Sequence, residues 1–268
     1  MGDFTFWCVA LDKPWSWQWI AYPGIWLASI TPMVLYAIAV RRHPGPIDRR
    51  KARFFYAGMI VFWIATDWPL GTLGAGYMAS AHMIQFLLYT VGAAPLLMLG
   101  TPEWMARGFL DRLRLTRVTE WLGGNYLMCA LLYNGILMAT HAPGTVEIFR
   151  RSQIGSAFMD FAWVIAGFIL WLPIISPLGR RPGSAPWGRM VYLFMATAVV
   201  AVIPASFLTF STTPVYALYE LAPRVTALTA REDQQIAGII MKLATVPVVW
   251  TTIAVMWFRW AKQEGAMT

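Results

Sequence analysis

The sequence has 268 residues, of which 58% are hydrophobic and only 13% charged, with a mean hydropathy of +0.55. Soluble domains are roughly 45–50% apolar and 25% charged, so this composition excludes an ordinary soluble domain and predicts a polytopic membrane protein. The net charge of +8 sits in short loops between apolar runs, where basic residues report membrane orientation, and nucleic acid is excluded as a partner.

The N-terminal "MGDFTFWCVALDKPWSWQW" lacks the basic, apolar and small-residue regions of a cleaved signal peptide, so the first span is expected to act as an uncleaved signal. Phe6 stands where a myristoylation signal needs Ser or Thr. Cys8 and Cys129 are too far apart for a C-x-x-C metal pair, and neither reports a redox compartment.

Crossing the hydrocarbon core takes about 20 mostly apolar residues. Seven stretches meet or approach that length, at 17–40, 54–68, 77–99, 119–140, 157–175, 187–210 and 235–260. The second is the shortest, ending at "TDWPLGTLG", where Pro69 and the following glycines stop a helix. The 41–53, 101–117 and 177–189 loops and the C-terminal end carry fifteen Lys and Arg between them, and the N-terminal segment and the alternate loops carry five. The positive-inside rule then places the N-terminus outside and the C-terminus in the cytoplasm. "PEWMARGFLDRLRLTR" alternates apolar and basic residues at helical spacing, as in a helix lying on the cytoplasmic surface. With no repeat or long linker, residues 1–268 are expected to form one all-α bundle of about seven transmembrane helices.

That topology gathers scattered polar residues at one membrane face. His82, in "SAHMIQFLLYTVGAAPLLMLGTPEW", lies just inside the outer end of the third span. His141, in "MATHAPGTVEIF", ends the fourth. Asp67 ends the second, and Glu232, Asp233, Gln234 and Gln235 enter the seventh, with Met241 deeper in it. His43 falls in the basic loop and is set aside as solvated. For His82 two readings stand: a buried histidine bonded to a neighbouring carbonyl, or a functional group, since ionisable residues in spans are costly and face the bundle interior.

Imidazole and thioether together suit copper. Met83 points about 100 degrees away from His82 on a helix, so Met241 from another helix is as plausible a partner, although most of the 15 methionines must be packing residues. "REDQQ" reads first as a helix start, with acids at the positive N-terminal end. No P-loop, G-x-S-x-G elbow, H-E-x-x-H or dinucleotide fingerprint occurs. The chain is therefore not expected to be an enzyme. Prolines within the spans are compatible with a transporter, but away from the span ends the charged residues are Lys242 and Asp160, too few for a relay.

Taken in order, "SAHMIQFLLYTVGAAPLLMLGTP", "THAPGTVEIF" and "TAREDQQIAGIIMKL" resemble the multi-pass CtaG-type cytochrome c oxidase assembly factors of bacteria, over roughly residues 50–258. The resemblance implies assembly of a haem-copper oxidase, with copper handled at the periplasmic face. His82, Met83 and Gln85 match the first family motif, His141 and Pro143 approximate the second, and Asp233, Gln234, Gly238 and Met241 match the third. His82, His141, Met241, Met83 and Asp233 are thereby the implied metal set, with Gln85 placed to orient His82 or to bond a neighbouring span.

Two positions depart from the family pattern. Phe86 stands where a second histidine, one turn after His82, would complete a chelate, and Lys242 stands where the family has tryptophan. A copper site is then left to His82 with His141 or Met241. The alternative is a stable accessory subunit of a respiratory or other electron-transfer complex, with the copper site degenerate. Lys242 supports that alternative, since a cation near the outer end of the seventh span repels a metal in the same pocket unless it is paired with Asp233 or Asp67 or snorkels to the interface.

Overall fold

The structure, a computed structural model, describes residues 5–265 apart from Asp12, Ile47 and 180–185. Among the described residues there are helices and no strands. Helix α1 (Pro23–Arg42) starts on a proline, whose missing N–H costs nothing in a first turn. Helix α2 (Arg49–Thr66) is capped by Asp48, whose carboxylate accepts from Arg50 N at 2.9 Å and Lys51 N at 3.2 Å. A short α3 (Leu70–Gly76) leads to α4 (Ala79–Leu87), which runs through a π-helical turn at Leu88–Ala93 into α5 (Ala94–Gly100). There follow α6 (Glu103–Arg112), α7 (Thr116–Gly123), α8 (Tyr126–Thr140), α9 (Pro143–Arg150) and α10 (Gln153–Trp171). Helix α11 (Pro186–Phe194) passes through a second π turn, Met195–Val199, into α12 (Val202–Phe210). The chain ends with α13 (Ala217–Leu221), α14 (Ala230–Leu243) and α15 (Val246–Gly265).

Five of these stretches are long and apolar enough to cross a membrane: Pro23–Arg42, Ala79–Gly100, Gln153–Trp171, Pro186–Phe210 and Ala230–Glu264. The chain is therefore an all-helical membrane protein. A sixth arises if α7 and α8 are taken together, but they meet at 103°. The single straight helix expected over 119–140 is broken because Gly123 and Gly124 favour a bend and the Asn125 side chain, accepting from Met128 N at 3.1 Å, starts a new helix. The expected 54–68 span lies in α2 as far as Thr66, and the opening Arg-Arg-Lys-Ala-Arg of that helix makes it too polar to count by composition.

Ala79–Gly100 is the central helix, with 67% of its apolar window buried against 17% for α1, which faces outward. Its two halves meet at Pro95, which has no N–H to give to the preceding turn. The local π winding leaves the Thr90 carbonyl free of the helix, and it accepts from Trp171 Nε1 at 2.9 Å. The second π turn frees carbonyls in the same way: Ala196 O takes Asn134 Nδ2 at 3.2 Å, and Ala198 O takes Lys242 Nζ at 2.9 Å. Lys242 thus satisfies a carbonyl inside the bundle instead of pairing with Asp233 or Asp67. Asp67 is itself engaged by the Trp26 and Trp63 indoles at 3.0 and 2.6 Å.

The expected helix start at "TAREDQQ" is a capping box. Thr229 accepts from Glu232 N, and the Glu232 carboxylate accepts from Thr229 N at 2.8 Å. Thr229→Ala is expected to cost about 1 kcal/mol, read as a fall in thermal midpoint that Thr229→Ser does not share.

At one end of the bundle lie the N-terminal segment, α3, α9 and α13, tied by Ala10 N to Arg150 O at 2.9 Å, Tyr77 Oη to Lys13 O at 2.9 Å and Ala217 N to Glu147 Oε1 at 3.2 Å. At the other end His43 stacks on Trp104 with ring centroids 4.1 Å apart, and Arg107 donates to Leu178 O at 3.1 Å. Helix α6 buries only Ala106 and leaves Phe109 64% exposed, as a helix lying on the bilayer surface would.

Candidate functional site

Helix α4 begins at the first of these ends, and its placement depends on α14. The helix-opening N–H groups of any helix lack intrahelical partners, and Met78, just before α4, has no side-chain oxygen to serve them. Asp233 supplies one from across the bundle. Its carboxylate accepts from Ala79 N at 2.6 Å and Ser80 N at 3.4 Å, and also from Ser80 Oγ. Gln234 beside it bonds Val215 N at 2.5 Å. Close approach of helices fixes the rest. A Cβ on Gly238 would lie 2.3 Å from Thr209 Oγ1, and one on Gly74 would lie 1.9 Å from Gln85 Oε1 and 3.1 Å from His82 Cα. Gln85 bonds a neighbouring span, donating to Ala65 O at 2.8 Å.

His82 projects from the first turn of α4 and is fully buried. Tyr219 of α13 donates its hydroxyl hydrogen to Gly74 O at 2.7 Å, so the 2.8 Å contact between Tyr219 Oη and His82 Nδ1 must have the ring nitrogen as donor. The Nδ1 hydrogen of His82 also faces Gly74 O at 3.3 Å. His141, just past the end of α8, donates from Nδ1 to Leu137 O at 2.9 Å. Both rings are therefore locked with the proton on Nδ1 and a lone pair on Nε2, and both Nε2 atoms are buried without a hydrogen-bond partner. Burial also lowers the His141 pKa to about 4, so its imidazole is neutral at neutral pH.

The two rings meet edge to face at 5.6 Å between centroids. They sit in an aromatic box: Trp163 is 4.8 Å from His82 and 5.7 Å from His141, and Phe86 is 4.8 Å from His141. Trp163 is held by its indole N–H on Thr140 Oγ1 at 3.0 Å. Beneath it lies a buried ion pair. Arg150 NH2 is 3.0 Å from Asp160 Oδ1, both side chains being at most 1% exposed, and the Arg150 guanidinium lies 5.0 Å from the Trp163 ring centroid. Trp7 of the N-terminal segment closes the cluster, donating to Asp160 Oδ2 at 2.8 Å.

Of the residues singled out in the sequence, the fold brings His82 and His141 together. Asp233 serves the start of α4, and Met83 and Met241 lie in the apolar core. Among the described residues no three His, Cys, Asp or Glu side chains converge as a metal-binding group. Cys8 is buried beside Thr66 and Thr72, donating to Thr66 O at 3.2 Å, and burial pushes its thiol pKa well up. It is an uncharged thiol, poorly suited to capture a metal.

Arg150, Tyr219 and Trp163 have no counterpart among the sequence candidates. Arg150 and Arg151 form a basic pair in what reads as a solvated loop. Only the 10-residue spacing to an acid within a span, Asp160, hints at a buried partner. A cleft of about 280 Å³ is lined by Ala10, Leu11, Gly76, Arg151, Leu218, Leu221 and Ala222, between the N-terminal segment and α13.

The family model described as cytochrome c oxidase caa3 assembly factor matches residues 34–263. Neither the comparison with curated proteins nor that with solved structures finds a match.

Proposed function

We propose that this chain, which belongs to the cytochrome c oxidase caa3 assembly factor family, holds or passes copper to a nascent haem-copper oxidase without catalysing a reaction. Copper is cargo in this reading. The observation that carries it is the pair of buried imidazoles, each locked as an Nδ1–H tautomer and each leaving an Nε2 lone pair with no donor. Buried acceptors without partners are costly, and a bound cation removes that cost at both at once.

In the same reading the chain crosses a bacterial inner membrane seven times, with α2 as a span and α7 with α8 as one broken span. The N-terminus is outside, and the histidine end faces the periplasm. The fifteen-to-five split of Lys and Arg between the two sets of loops supports that orientation.

Purified protein loaded with Cu(I), wild type beside His82→Ala, tests the assignment. About one equivalent of copper is expected in the wild type and a loss of most of it in the variant; equal content in both would sink the site.

Phe86 favours a second reading. Its ring packs against His141 and Trp163 at 4.8 and 5.6 Å and fills with carbon the position of the family's second histidine. In that case the chain is a stably bound accessory subunit of a respiratory or other electron-transfer complex, and gentle detergent extraction recovers it at fixed stoichiometry with the mature complex.

A further inference from the structure

We infer that the His82–His141 box selects its ion by charge, taking a soft monovalent cation and rejecting divalent ions, with Arg150 as the residue that sets the preference. This rests on the reading that the two histidines hold a metal ion, and it adds what kind.

The donors are two neutral imidazoles. Every carboxylate that the fold brings near them is already committed. Asp160 faces Arg150 at 3.0 Å and accepts from Trp7, and Asp233 caps α4. A fixed charge close to them is the Arg150 cation, whose guanidinium lies 5.0 Å from the centroid of the Trp163 ring that touches both imidazoles. With Arg150, Trp163 and His82 all at 0% exposure and His141 at 5%, water does little to screen that charge.

The cost of bringing an ion out of water into such a site rises with the square of its charge, so a divalent ion meets about four times the penalty of a monovalent one of similar size. It also finds no free anion to balance its second charge, because the Asp160 carboxylate is already neutralised by Arg150 at 3.0 Å. Zinc further asks for about four protein donors in a closed site, and among the described residues no group of three His, Cys, Asp or Glu is formed. A d10 monovalent ion such as Cu(I) or Ag(I) accepts two nitrogen donors. Arg150 thus acts as a positioning residue: paired with Asp160 it removes the one carboxylate that would otherwise recruit a divalent ion.

The test uses the full chain in lipid nanodiscs, with Ag(I) as a redox-inert monovalent probe and Zn(II) as a divalent probe that shares its d10 configuration. Wild type is expected to bind Ag(I) at one equivalent, at least 100-fold more tightly than Zn(II). Arg150→Gln frees the Asp160 carboxylate and is expected to shrink that ratio tenfold or more. The double variant Arg150→Gln/Asp160→Asn, which restores the net charge of the pair, is expected to return it.

Equal Ag(I) and Zn(II) affinity in wild type overturns the inference, as does a folded Arg150→Gln protein with an unchanged ratio. Where Arg150→Gln does not fold, the wild-type ratio decides. His82→Ala separates the two levels of the argument. Ag(I) binding that survives it removes the histidine site itself, whereas binding that needs His82 but shows no preference over Zn(II) removes only the selection by charge.

Discussion

Asp160→Ala is expected to destabilise the folded protein by about 3–5 kcal/mol, the usual cost of stripping one partner from a buried ion pair, and to lower the thermal midpoint in detergent by roughly 10 °C. Removing the carboxylate leaves Arg150 as an uncompensated cation at 0% exposure and leaves the Trp7 indole N–H without its acceptor. Both losses loosen the N-terminal segment, which is otherwise held by Phe6 N on Gln153 Oε1 at 2.7 Å and Ala10 N on Arg150 O at 2.9 Å.

The cause can be separated from simple cavity formation. Replacing both partners with apolar side chains, as in Arg150→Met/Asp160→Leu, removes the buried charges together and is expected to recover most of the lost stability. A midpoint for Asp160→Ala within a few degrees of wild type, or a double variant no better than the single one, would contradict a fully buried pair.

Asp233→Ala is expected to cost about 2–3 kcal/mol, more than an ordinary cap, because the lost acceptor is a buried carboxylate serving two backbone N–H groups and a hydroxyl. Its effect is local as well as global. His82 lies three residues into α4, so fraying of that first turn moves the imidazole away from Tyr219 and His141. The readout is hydrogen exchange at Ala79 and Ser80, which should accelerate far more than exchange in α10. Asp233→Asn keeps an acceptor and should fall between the two. Unchanged exchange at Ala79 and Ser80 in Asp233→Ala would mean that α4 is capped by some other group.

The two cases mark how far the residues speak for themselves. Asp233 is legible as important because it precedes a helical pattern in a span, and "TAREDQQ" carries its own capping box in sequence. That its carboxylate caps another helix, 154 residues away at Ala79, is set by the packing of α14 against α4. Arg150 is the harder case. In sequence it is one of two adjacent arginines in a loop, indistinguishable from Arg151, yet Arg150 is fully buried and Arg151 exposed. Helix α9 turns consecutive residues about 100 degrees apart, and only the neighbours decide which of them faces inward. Lys242 shows the same limit, since its partner is a backbone carbonyl freed by a π turn that leaves little trace in composition.

What the sequence determined by itself was what local chemistry governs. Hydropathy and the positions of prolines and basic loops pointed to an all-helical membrane protein and to the approximate place of its five long apolar helices, because water and lipid sort side chains one segment at a time. The motifs carried the family. The break of the fourth helix at Gly123 and Gly124, the committed carboxylates of Asp233 and Asp160, and the meeting of His82 with His141 under Trp163 were decided by the tertiary structure. Each depends on groups from separate helices competing for the same few buried partners, and no single stretch of chain records the outcome of that competition.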